Sequence, residues 1–131
     1  MNTNPRVLTV RDYLDMGIAV AGLRTMRFPK PRYRVVFRLN MRNNSSGSIR
    51  LIGRKWVLRD HSGNTRIVEA ENVFNRQPIL TPGAVFSYGG CQEFDSPPAG
   101  LEVSFFGTDA KNSPFITPPL VFPRRSFRLP R

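Results

Sequence analysis

The sequence predicts an all-β chain folded as a two-sheet antiparallel sandwich, and three observations carry that expectation. Twelve prolines and ten glycines in 131 residues leave no room for long helices, because proline removes a backbone donor and clashes within a helix. Short apolar runs recur between Asn/Asp/Gly/Ser clusters at intervals of about 8–12 residues, the spacing of sandwich strands. The strongest alternation runs over residues 32–42: Tyr33, Val35, Phe37, Leu39 and Met41 are apolar, with Arg32, Arg34, Arg38, Asn40 and Arg42 interleaved. That period of two describes a half-buried strand with one apolar and one guanidinium face.

Taken in order, Thr9-Val-Arg-Asp12 has the form of a helix cap with an acid in the first turn, so residues 9–16 read as one short helix ended by Gly17. Ile18, Val20 and Leu23 form the first strand, and Tyr33–Met41 the second. Asn43–Gly47 turns the chain, and Ile49, Leu51, Trp56 and Leu58 make the next strand. Asp60-His61-Ser62-Gly63-Asn64 is a hairpin loop before a strand at Thr65–Val68. Leu80-Thr81-Pro82-Gly83 is a turn, since proline presets a negative φ and glycine supplies a positive one. Ala84–Tyr88 follows as a strand, and Leu101, Val103 and Phe105 alternate again. Asp109–Asn112 turns into a last strand at Phe115–Ile116, ahead of Pro118-Pro119. The expected division is an N-terminal extension (1–16), a β-sandwich domain (17–122) and a basic C-terminal arm (123–131). Trp56 is expected in the core near Leu39 and Phe86.

Twenty Lys+Arg against nine Asp+Glu leave a net charge of +11, which calls for an anionic partner or strong solvation. The distribution is more telling. From residue 16 to residue 59 there is no acid, yet this stretch carries eleven of the twenty basic residues. Arg124, Arg125, Arg128 and Arg131 add a second acid-free basic stretch. Arginine dominates, and its planar fork suits phosphate or carboxylate. Candidate anion- or nucleic-acid-binding residues are therefore Arg32, Arg34, Arg38, Arg42, Arg124, Arg125 and Arg128. No run of about 20 apolar residues exists for a membrane span. The N-terminus lacks the basic-then-apolar layout of a secretory signal. A cytoplasmic location is expected, or an organelle matrix if the chain is part of a ribonucleoprotein.

Five segments together resemble the ApaG domain family: Phe37-x-Leu39-x-Met41-x-Asn43; Leu51-x-x-Arg54-x-Trp56-x-Leu58-x-Asp60-x-x-Gly63; Gln77-Pro78-x-Leu80-x-Pro82-Gly83-x-x-Phe86-x-Tyr88-x-x-Gly90-Cys91; Leu101-Glu102-x-x-Phe105; and Pro118-Pro119-Leu120. The resemblance covers residues 33–122. It implies a fibronectin III- or immunoglobulin-like sandwich and a non-catalytic interaction module with a protein partner. It also implies a link, in bacterial members, to cobalt resistance and magnesium efflux. Before Gln77 the family usually carries Gly-x-Gly-x-x-Gly, proposed to hold pyrophosphate. The matching positions here are Ala70, Asn72 and Asn75, flanked by Glu69 and Glu71, so phosphate binding at this loop is not expected.

Other chemistry finds little support. His61 is the single histidine, in a turn-like stretch that reads as surface loop. Cys91, the single cysteine, reads as a small buried side chain at a strand end. Glu93 and Asp95 stand two apart in a Pro-rich loop, without a histidine nearby to complete a hydrolytic pair. One cysteine and one histidine cannot build a structural zinc site. No catalytic residue, metal site or cofactor is expected. The leading reading is an interaction module with a protein partner. The alternative is a nucleic-acid-associated or ribonucleoprotein component that holds RNA phosphates through the arginine face and arm.

Overall fold

The computed structural model describes residues 6–7, 14–73 and 75–128. Its elements are β1 (Arg6–Val7), β2 (Leu14–Met26), β3 (Arg32–Asn43), β4 (Ile49–Asp60), β5 (Thr65–Glu71), β6 (Ile79–Leu80), β7 (Val85–Phe94), β8 (Pro98–Thr108), β9 (Pro114–Ile116), β10 (Leu120–Val121) and a 3-10 helix, Arg124–Phe127. They form two sheets. One has the order β1-β9-β8-β4-β5, with β10 on β8 and β6 on β4; the other has the order β2-β3-β7. The pairings are antiparallel except for the short β1–β9 contact. This is the all-β sandwich that the alternating strands predict.

The inward phase of β3 explains the packing. Val35, Phe37, Leu39, Met41 and Asn43 are buried, while Arg38, Asn40 and Arg42 between them are exposed. Phe86, Tyr88 and Phe94 of β7 face the same core, as do Trp56 and Leu58 of β4 and Leu101, Val103 and Phe105 of β8. Each such side chain contributes roughly 1.5–3 kcal/mol of transfer free energy. Rings from both sheets meet at the centre. Phe37 lies 5.2 Å from Trp56 and 5.3 Å from Phe122, and Trp56 lies 5.9 Å from Phe122. Trp56 is in the core with Leu39 and Phe86, but its ring neighbours are Phe37 and Phe122.

Polar groups fix the ends of the strands. Asn43 is fully buried. Its Nδ2 donates to the Gly47 and Leu80 carbonyls, both at 2.8 Å, and its Oδ1 accepts from the Ser45 N–H and hydroxyl. One amide thus ties the 43–47 turn to β6 with its hydrogen-bonding capacity in use. The hairpins at Asp60 and Asp109 share one design. The carboxylate Oδ1 accepts from the N–H groups two and four residues on, and Gly63 and Asn112 supply the positive φ. At the β4 bulge, Gly53 is required by space, since a Cβ there would run into the Phe106 ring and the Ala70 carbonyl.

Two expectations are corrected. Of the helix expected over 9–16, residues 9–13 lie outside the described residues, and Leu14–Met16 open β2, paired with Asn43, Arg42 and Met41. Leu14 and Met16 are buried, and their long-range pairing outweighs the local cap signal. Strand β10 follows Pro118-Pro119, where none was expected; its Leu120 and Val121 pair with Val103 and Glu102 of β8. Within the segment read as a C-terminal arm, residues 124–127 form a 3-10 helix touching β2 and β8. Ser126 is buried there and Phe127 packs against the core.

Candidate anion-binding face

The cross-strand register sorts the outer face of the β2–β3–β7 sheet into rows, because directly opposed residues share a face. From the 27–31 loop downward the rows are Met26/Arg32, Arg24/Arg34/Glu93, Gly22/Val36/Cys91, Ala19/Arg38/Gly89, Gly17/Asn40/Ser87 and Asp15/Arg42/Val85. The sequence-predicted Arg32, Arg34, Arg38 and Arg42 therefore share one face, along a line of about 33 Å for ten residues of strand. Arg24 joins them, exposed and opposite Arg34.

Glu93 modifies this face. Its Oε1 accepts from Arg34 Nε at 3.1 Å and Nη2 at 2.5 Å, and its Oε2 lies 3.8 Å from Arg32. The hydrogen bond from Arg34 holds the Glu93 carboxyl below its ordinary value of 4.5, against the cost of desolvation, and raises Arg34 in turn. A carboxylate whose value is lowered in the folded chain stabilises above its unfolded value and loses that contribution as pH falls through the folded one. The pair is thus intact at neutral pH and weakens only below about 4.5. It relieves the repulsion between Arg24 and Arg34 and leaves Arg38 and Arg42 as the exposed guanidiniums of β3.

Between Arg34 and Arg38 lies an open trough of about 680 Å³, floored by Ala19, Val36, Gly89, Gly90 and Cys91. Small residues on three neighbouring strands lower the floor, so the arginines stand as its walls. Cys91 is exposed in mid-strand, not buried at a strand end: it occupies the outward phase of β7.

The opposite face of the sandwich carries different charge. There Glu69 and Glu71 of β5 and Glu102 of β8 stand opposite Lys55, Gly53 and Val57 of β4, and Arg59 lies 3.4 Å from Glu102. The acid-free stretch thus supplies both faces, but on this one its Lys55 and Arg59 are offset by Glu69, Glu71 and Glu102, whereas the β2–β3–β7 face carries an excess of arginine. Arg124, Arg125 and Arg128 are exposed on and just past the 3-10 helix, which touches β2.

The loop corresponding to the family glycines is otherwise engaged. Ala70 is within β5, paired with Arg54. Asn72 (φ 73°) and Asn75 (φ 67°) adopt the left-handed conformation, which asparagine tolerates better than most residues. The Asn72 and Val73 N–H groups donate to the Ile52 and Arg76 carbonyls, and Arg54 donates to the Glu71 and Asn72 carbonyls. Those two N–H groups serve the turn and are not offered to an anion. Glu93 is the last outward residue of β7 and Asp95 lies past the strand end. His61 is exposed in the β4–β5 hairpin, on the other sheet from Cys91. Burial pushes the Tyr88 phenol up to about 12, Arg54 opposing, so it is neutral at physiological pH. Among the described residues, no three His, Cys, Asp or Glu side chains are grouped to hold a metal ion, and no helix is long and apolar enough to cross a membrane.

Comparison with known proteins adds three findings. A family model described as the ApaG domain matches residues 26–106. The protein ApaG of Vibrio vulnificus is 27% identical over 85 residues, covering 65% of this chain and 68% of that one. Among solved structures, one described as ApaA from Bordetella pertussis superposes with a TM-score of 0.69 at 21% identity, over 85% of this chain and 93% of that one. A structural-genomics target, SoR45, superposes with a TM-score of 0.74 at 15% identity, over 83% and 84%. At these identities the structural matches speak for the fold.

Proposed function

Since the chain belongs to the ApaG domain family, we propose that it works as a binding module without catalytic activity and that its ligand is RNA, held by phosphate contacts on the outer face of the β2–β3–β7 sheet. The observation that carries this reading is the sorting of charge. Arg24, Arg32, Arg34, Arg38 and Arg42 on the face, with Arg27 and Lys30 in its hairpin loop, stand against Asp15 and Glu93 alone among the described acids of that face. Arg124, Arg125 and Arg128, exposed on and just past the 3-10 helix that touches β2 and β8, would add contacts from the β2 side. Guanidiniums in separate rows can meet successive phosphates without reading bases, which implies binding with little sequence preference.

The test is a salt titration. The purified, nuclease-treated chain is titrated into labelled mixed-sequence single-stranded RNA. With about four phosphates contacted, log K falls against log salt with a slope near −3, from roughly 0.7 per phosphate. No binding at about 50 mM salt contradicts the reading.

A protein partner is the second reading, favoured by β5. Among the described residues that strand pairs with β4 on one side only and exposes Ile67 and Val68, the features of an edge that accepts an added strand. Binding to a partner through this edge would show little salt dependence.

A further inference from the structure

The β2–β3 hairpin loop, Arg27-Phe28-Pro29-Lys30-Pro31, is exposed throughout, and Phe28 is 89% exposed. Among the described residues it is the only exposed Phe, Tyr or Trp; the other large exposed apolar side chains are Ile or Val. An aromatic ring in water is costly to display. The core does not need Phe28, and the chain holds it at a loop tip. Prolines on its C-terminal side fix φ at two of the next three residues, so little freedom is lost when the ring is engaged. Its surroundings are cationic: Arg27 and Lys30 share the loop, and Met26/Arg32 then Arg24/Arg34 form the first two rows of the arginine face below it.

We propose that Phe28 is a base-stacking platform at the head of the arginine face, which makes the site one for single-stranded rather than duplex RNA. This deepens the RNA reading above and rests on it. The chemistry follows from the two parts. Arginines along β3 neutralise a backbone without regard to sequence, while a lone protruding ring offers a π-face on which an unstacked base can lie. In a duplex the bases are stacked on one another, so the ring gains nothing there. Cations beside the ring place the neighbouring phosphates.

The test compares the full chain with Phe28→Ala and Phe28→Trp by fluorescence polarisation on single-stranded RNA, an RNA hairpin duplex and phosphatidylserine vesicles. Phe28→Ala should bind single-stranded RNA about 5- to 100-fold more weakly, with unchanged duplex binding and thermal midpoint. Phe28→Trp should retain affinity, and RNA should quench its added fluorescence over the signal of buried Trp56. Unchanged single-strand affinity in Phe28→Ala, in a chain whose RNA binding shows the salt slope above, overturns the role of Phe28 and leaves the arginine face standing. Absence of all RNA binding removes both. Equal affinity for duplex and single strand, or Phe28-dependent binding to vesicles but not RNA, also overturns the proposal, the latter in favour of a membrane contact.

Discussion

Trp56→Ala should destabilise the fold by about 3–5 kcal/mol, the range for truncating a buried aromatic side chain. Trp56 is 3% exposed and belongs to β4, while Phe37 belongs to β3 on the other sheet and Phe122 follows β10. Their centroids lie 5.2–5.9 Å apart, in tilted and edge-on arrangements. Such contacts add to area burial, so removing the indole opens a void between the sheets and strands two rings. Neither sheet can close on the void without disturbing strands paired over ten or more residues. Trp56→Phe should cost clearly less. Denaturant titration at constant m-value measures both, and a loss below about 1 kcal/mol for the alanine variant would mean that Trp56 does not hold the sheets together.

The second large effect is on binding. Reversing Arg24, Arg38 and Arg42 to glutamate should weaken single-stranded RNA binding on the order of 100-fold or more and flatten its salt slope. These three side chains are exposed, and the choice leaves the Arg34–Glu93 pair intact, so folding should be preserved. The matched control is Lys55→Glu on the opposite sheet face, where Lys55 stands across from Glu69. It matches Arg38→Glu alone, since each replaces one positive charge by one negative, and it should leave RNA affinity nearly unchanged where Arg38→Glu weakens it. Equal losses in both variants would mean that net charge alone, not the face, attracts RNA.

What the sequence reveals follows the range of the interactions concerned. The guanidinium face of β3 is readable because burial of Val35, Phe37, Leu39 and Met41 forces the intervening residues outward, a local consequence of the period of two. Left-handed Asn72 and Asn75 and the hairpins at Asp60 and Asp109 are likewise local. The Arg34–Glu93 pair joins residues 59 apart and depends on β3–β7 register, so no local pattern marks Glu93 as the residue that pairs with two of the four arginines. The same holds for Arg24, whose place opposite Arg34 emerges only when β2 extends to Met26. At Leu14–Met16 a local signal misleads: the cap pattern at Thr9–Asp12 points to helix, while pairing with Met41–Asn43 fixes those residues as strand. Phe28 lay in plain sight, but an apolar residue in a loop carries no mark of exposure until the hairpin is built.

The central claim is that one sheet face, and not the other, is the working surface. Amide chemical-shift mapping of the isotope-labelled full chain on addition of single-stranded RNA tests it most directly. The account predicts perturbations along Arg24–Met26, the 27–31 loop and Arg32–Arg42, with weaker effects in Val85–Glu93 and none at Lys55, Glu69 or Glu102. Perturbations concentrated along Thr65–Glu71 would place the ligand on the β5 edge and contradict it.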